Sequence, residues 1–153
     1  MSSPFIIDVS FAFTIAGTVQ LSRDPRHDVL FEPIKLGPVT TPNRFYQAPH
    51  CNGMGRLYPT PLAVMRGVKA EGGWGVVFNE QCDLHYTTDN PRSIRLWDEQ
   101  DLPLHRQIVE NVHEHGSLAG LMLSHNGYVP PNLISREIPL SPSGSASFGI
   151  APS

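Results

Sequence analysis

The chain is poor in cysteine, aromatic side chains and charge. Its 153 residues hold 2 cysteines, Cys51 and Cys82, and no CxxC pair. Two thiols so far apart exclude a disulfide-dense scaffold and give a zinc site no ligand spacing. Aromatic residues make up 8% and charged residues 16% of the chain. The 11 Lys and Arg stand against 14 Asp and Glu, a net charge of −3. That balance leaves no basic excess for bulk electrostatic binding of nucleic acid. The apolar stretch 5–19 is broken by Asp8 and is too short to cross a membrane as a helix. No basic residue precedes it, the first being Arg23, so a secretory signal lacks its positive start. Residues 1–23 are expected to be an extension, non-native or poorly ordered. No N-glycosylation triplet occurs, which fits a cytoplasmic chain. The GxxxxGK[ST], HExxH and GxSxG patterns are also missing, so their mechanisms have no support.

Proline and glycine are plentiful, at 15 and 13. They imply many turns joining short elements. A hydrophobic content of 40% is enough for a core. Residues 30–36 and 39–41 flank Gly37-Pro38 and read as a hairpin. Residues 44–48 read as a strand ending at Pro49. Residues 61–71 read as a helix with Thr60 as N-cap, an apolar face of Leu62, Met65 and Val68, and a stop at Gly72-Gly73. The run 74–79 reads as a strand buried on both faces, with Glu80 following it. Asp101 is placed to cap a helix reaching His115, with Leu104, Ile108, Val109 and Val112 inward. Residues 118–123 form another strand, and 128–153 a long loop. Strands alternating with helices predict parallel strands in an α/β architecture.

Each parallel strand is followed by polar groups: His50-Cys51, Glu80-Gln81 and His125-Asn126. The carboxyl ends of parallel strands are where such sheets place chemistry. On residue type alone, Cys51 is either a packed, reduced thiol or a reactive one. Glu80 is a salt-bridged structural acid or a site carboxylate. His125 is a core histidine or a site residue. Cys82 reads as structural. His113 and His115 read as solvated.

The segment 24–55, DPRHDVLFEPIKLGPVTTPNRFYQAPHCNGMG, resembles the start of the flavin barrel in the amine dehydrogenases of the old yellow enzyme family. VKAEGGWGVVFNEQC, RLWDEQDL, LAGLMLSHNG and SREIPLSPS continue the resemblance in order, over about 24–142. It implies the N-terminal portion of an FMN-binding (β/α)8 barrel over 24–153. It also implies an oxidoreductase that takes an amine to an imine by hydride-equivalent transfer to flavin. By the same resemblance Pro49, His50, Cys51, Glu80 and Met122 contact the cofactor, and Cys51 is the residue for a covalent thioether. Gln81 and His125 fall at the substrate. Gln81 stands where a tertiary-amine member carries a tyrosine, which favours a secondary or larger amine. Met122 stands where the family has Gln or Glu. A 4Fe–4S cluster belongs only to full-length relatives, and no catalytic acid–base residue is carried over.

A complete barrel needs about 250 residues and eight strands. About three strands are expected here. The chain is therefore expected to be an incomplete copy: a fragment, a truncated reading frame or the first piece of a split gene. Such a chain catalyses in a longer protein, or it binds no flavin alone and associates at most with another copy or a complementary barrel fragment.

Overall fold

A computed structural model describes residues 24–129 and 132–144. The extension 1–23 lies outside the described residues.

Pro25–Phe31 is a 3-10 helix. Asp24 caps it by accepting the Arg26 N–H at 3.0 Å. This helix takes Leu30 and Phe31 out of the expected strand, because Pro25 presets the helical φ directly after a capping aspartate. The hairpin that remains is β1 (Ile34–Leu36) and β2 (Val39–Thr41), antiparallel about Gly37 at φ 58°.

The main unit is a βαβαβ run: β3 (Tyr46–Gln47), α1 (Pro59–Glu71), β4 (Val76–Asp83), α2 (Leu102–His113) and β6 (Leu118–Ser124), with β5 (Ile94–Arg95) between β4 and α2. All its strand pairings are parallel. β6 runs along one edge of β4. On the other edge, β3 pairs with Val76 and Val77 and β5 with Cys82 and Asp83. The described residues form part of an α/β barrel sheet and no closed barrel.

Both helices carry proline in the first turn, Pro59 opening α1 and Pro103 second in α2, where its missing N–H needs no partner. This moves the start of α1 to Pro59 and leaves Thr60 inside the helix rather than at its cap. Its buried stripe is Leu62, Ala63, Arg66, Gly67 and Ala70. Val68, expected inward, is 56% exposed. Gly67 explains the rotation: a Cβ there would meet Asn111 Cβ of α2 at 3.1 Å, so the helices approach closely along it. Gly73, at φ 90°, ends the element as expected. In α2, Ile108 and Val112 are buried, while Val109 lies on the exposed side. Asp101 sits at the N-cap position, but its carboxylate is used elsewhere. It pairs with Arg95 Nε at 2.6 Å and accepts the Trp97 N–H at 2.9 Å.

Helix–sheet packing makes two clusters. Leu62, Ala63, Cys82, Ile94 and Ile108 form one; Ala70, Val77 and Val112 form the other. Both lie on the helix-covered face of the sheet.

Candidate functional site

Val77 and Cys82 both pack toward the helices although they are five residues apart. A regular strand would send them to opposite faces. An extra residue in β4 resolves this: Phe78 pairs with Gly120, and the next aligned pair is Gln81 with Met122. Three residues of β4 span two of β6, which is a β-bulge at Asn79-Glu80. Asn79 Oδ1 accepts the Glu80 N–H at 2.9 Å and holds the irregular turn. The strand therefore runs past Glu80 to Asp83, where the sequence suggested an end.

The bulge separates the two neighbours. Gln81 shares its face with Met122, and its Nε2 donates to Asp83 Oδ1 at 3.2 Å. Below them on that face, the Phe78 ring sits 5.0 Å from the Tyr46 ring. Phe78 also occupies the space a side chain on Gly120 would need, since a Cβ there would lie 2.3 Å from the ring.

Glu80 turns the other way and is fully buried beneath the loop that follows β3. Its Oε2 accepts the Asn52 N–H at 3.5 Å. Arg66, also fully buried, reaches the same loop from α1. Its Nη2 donates to the His50 carbonyl at 2.6 Å and its Nη1 to Gln47 Oε1 at 3.2 Å. Burial pushes the Glu80 carboxyl above its ordinary value, with the Asn52 N–H and the Arg66 charge partly opposing. Burial lowers Arg66, opposed by Glu80 and Cys51. Above this pair, Cys51 is exposed and its thiol is free, while Pro49 is half-buried and His50 exposed.

Sequence reasoning passed over a second polar group. Asp89 is fully buried and pairs with Arg56 at 2.6 Å. Its Oδ2 accepts the N–H groups of Ile134 and Ser135 at 3.1 and 2.7 Å. Buried Asn132 accepts the Asp89 N–H at 2.8 Å and donates to the carbonyls of Thr87 and Glu137, each at 2.9 Å. These bonds join the loops after β3, β4 and β6. His125 belongs to the same group. Its Nδ1 accepts the Gly127 N–H at 3.0 Å, so in the neutral ring the proton is assigned to Nε2, which donates to Thr87 Oγ1 at 2.9 Å. Thr87 Oγ1 in turn donates to His85 Nδ1 at 2.8 Å. Both nitrogens of His125 are thus engaged within the protein, although its ring is exposed.

A protein-family model described as the NADH:flavin oxidoreductase / NADH oxidase family matches residues 29–147. The chain belongs to this family. Dimethylamine dehydrogenase of Hyphomicrobium sp. (strain x) is 50% identical over 125 residues, covering 80% of this chain and 17% of that protein. The solved histamine dehydrogenase of Rhizobium sp. 4-9 superposes with a TM-score of 0.78 at 44% identity, over 86% of this chain and 21% of that one. The 6-hydroxypseudooxynicotine amine oxidase of Pseudomonas geniculata N1 gives a TM-score of 0.74 at 44% identity, over 80% and 18%. The chain spans about a fifth of the length of these relatives.

Family membership implies a flavin cofactor. The described residues fit one end of such a group. An exposed thiol follows β3, and the Gln81 amide lies beside the Met122 thioether at the same end of the sheet. Met122 supplies only a weak acceptor. The arginines near that end are committed: Arg56 to Asp89, Arg66 to His50 and Gln47, Arg95 to Asp101. None of these three is free to take a flavin phosphate.

Proposed function

We propose that this chain supplies the first strands of an FMN-dependent amine dehydrogenase barrel and carries the residue that links the flavin. The observation that supports it is Cys51, an exposed thiol at the carboxyl end of a parallel strand, in a chain whose relatives include amine dehydrogenases. When bound, the flavin supplies a two-electron acceptor for oxidation of an amine to an imine. Attachment joins the Cys51 sulfur to a ring carbon, releases two protons and passes two electrons to an external oxidant such as dioxygen. Pro49 and His50 border the cofactor edge through backbone and side chain, and Met122 meets its polar rim.

Gln81 is the substrate-side group. Its amide nitrogen is bound to Asp83, which leaves the carbonyl oxygen to accept an N–H. That favours a secondary or larger amine over a tertiary one, which has no N–H when neutral. His125, with both nitrogens engaged, supports the substrate side by holding the loop of Thr87 in place. Glu80 acts beneath the cofactor loop. A cytoplasmic location fits these roles. No helix among the described residues is long and apolar enough to cross a membrane.

A second reading rests on the sheet. Both helices pack on one face, and the face of Tyr46, Phe78, Gln81 and Met122 has no helix over it among the described residues. On this reading the chain holds flavin only after joining a second copy or a complementary barrel fragment. The visible spectrum of the purified chain, before and after acid precipitation, separates the two. Yellow colour that stays with the pellet supports the covalent reading. Yellow colour released to the supernatant means a pocket without the link. A colourless chain from flavin-replete cells that stays colourless with added FMN leaves the second reading.

A further inference from the structure

The cluster under the Cys51 loop contains two polar atoms without partners. Arg66 Nε and Glu80 Oε1 are both buried and neither has a hydrogen bond. Arg66 spends its other two nitrogens on Gln47 and on the carbonyl of His50, the residue bonded to Cys51. No hydrogen bond joins Arg66 to Glu80, yet the two charges attract, and the arginine also feels the Cys51 sulfur. A buried pair lacking direct contact is a poor stabilising device, because removing each ion from water is compensated only by close, well-satisfied geometry. A salt bridge chosen for stability would close that gap. Here the guanidinium is turned to the backbone next to the thiol instead.

We propose that Arg66 is a positioning residue for Cys51: it anchors the His50 carbonyl and sets a positive charge beneath the sulfur, with Glu80 limiting that charge. The cation is buried while the sulfur is exposed, so water screens the charge from the solvent side only. A cation beside a cysteine favours attack of its sulfur on electrophiles. The inference deepens the reading of Cys51 given above, but its test does not require flavin.

The probe is iodoacetamide on the full, flavin-free chain at neutral pH, followed by intact mass and peptide mapping. In this reaction the sulfur–carbon bond forms as the carbon–iodine bond breaks, iodide leaves with the bonding pair, and the thiol proton passes to water. Arg66→Gln is expected to slow alkylation of Cys51 roughly 5-fold or more, as loss of a nearby charge predicts. Arg66→Lys, which keeps the charge, is expected to restore at least half of the rate. Glu80→Gln, which leaves the arginine unopposed, is expected to quicken it. A merely structural role for Arg66 would not order the variants by charge. Should Arg66→Gln fail to fold by circular dichroism, the comparison passes to Arg66→Lys and Glu80→Gln, both of which retain the cation. Alkylation in Glu80→Gln no faster than in the parent chain would then overturn the proposal, as would a parent rate in a folded Arg66→Gln. Flavin linkage is scored separately by acid precipitation after incubation with FMN in air. A charge-ordered alkylation series with no acid-stable flavin would retain this inference and remove the covalent reading. Acid-stable flavin with no charge dependence would do the reverse.

Discussion

Arg56 and Asp89 meet at 2.6 Å across 33 residues of sequence, Nη2 to Oδ1. The aspartate has no exposure, and its second oxygen holds two backbone N–H groups of the segment after β6. Asp89→Ala would leave a cation and two N–H donors unpaired. It is expected to cost about 3–5 kcal/mol, the range for breaking a buried pair from one side. Arg56→Met should cost less, because Asp89 keeps its other donors. Urea denaturation of both variants checks the order.

The two thiols should behave as opposites. Burial pushes the Cys82 thiol up to about 12, with the Asp83, Asp101 and Glu80 carboxylates adding to it. At pH 8 it is a thiol and cannot be reached by reagent. Native alkylation is expected to add one group, on Cys51, and unfolding in urea to add the second. Peptide mapping reads both outcomes, and early labelling of Cys82 would show that the helix–sheet core opens readily.

Much of this arrangement was legible in the residues, and the illegible parts have identifiable causes. The strand–helix rhythm showed because each helix carries its apolar face at helical spacing and stops at a glycine. The end of β4 did not show, because the bulge breaks the two-residue period on which strand reading depends. Arg66 sits four residues after Leu62, on the buried stripe of α1, and a charged residue at that spacing was a signal that went unused. Asp89, Thr87 and Asn132 offered no such signal. Their partners lie up to 46 residues away, so the loops they tie together exist only in the folded chain. The role proposed for Cys51 came from a resemblance, since residue type alone favoured a packed thiol.

Acidity should tune stability through two carboxyls. Burial raises Glu80 above its ordinary 4.5 and Asp83 above its ordinary 3.8. Each therefore binds its proton more tightly folded than unfolded. The stabilisation is complete below the ordinary values and is lost as pH rises through the folded ones. Glu80→Gln removes one of the two groups. Its urea midpoint relative to the parent chain is expected to improve as pH rises above 4.5, each unit of displacement being worth ~1.4 kcal/mol. A difference that stays constant with pH would show that Glu80 is not displaced.

Gly120 should tolerate no side chain while Phe78 stays in place. The alanine methyl of Gly120→Ala would fall 2.3 Å from the ring. The expected cost is about 1–3 kcal/mol, typical of overpacking. Phe78→Leu in the same chain should recover part of it. Thermal unfolding of the two single variants and the double variant measures the coupling.

The bulge at Asn79 works as a change of phase within one strand. Before it, odd-numbered positions face the helices; after it, even-numbered ones do. A single residue thus decides that Glu80 props a loop from underneath while Gln81 looks out from the opposite side of the sheet. Were the same eight residues to run without the bulge, the alternation would be unbroken, and every side chain beyond Asn79 would trade faces with its neighbour. The carboxylate would then join Phe78 and Met122 on the face without a helix and the amide would lie under the thiol, without any change in the chemical inventory of the strand.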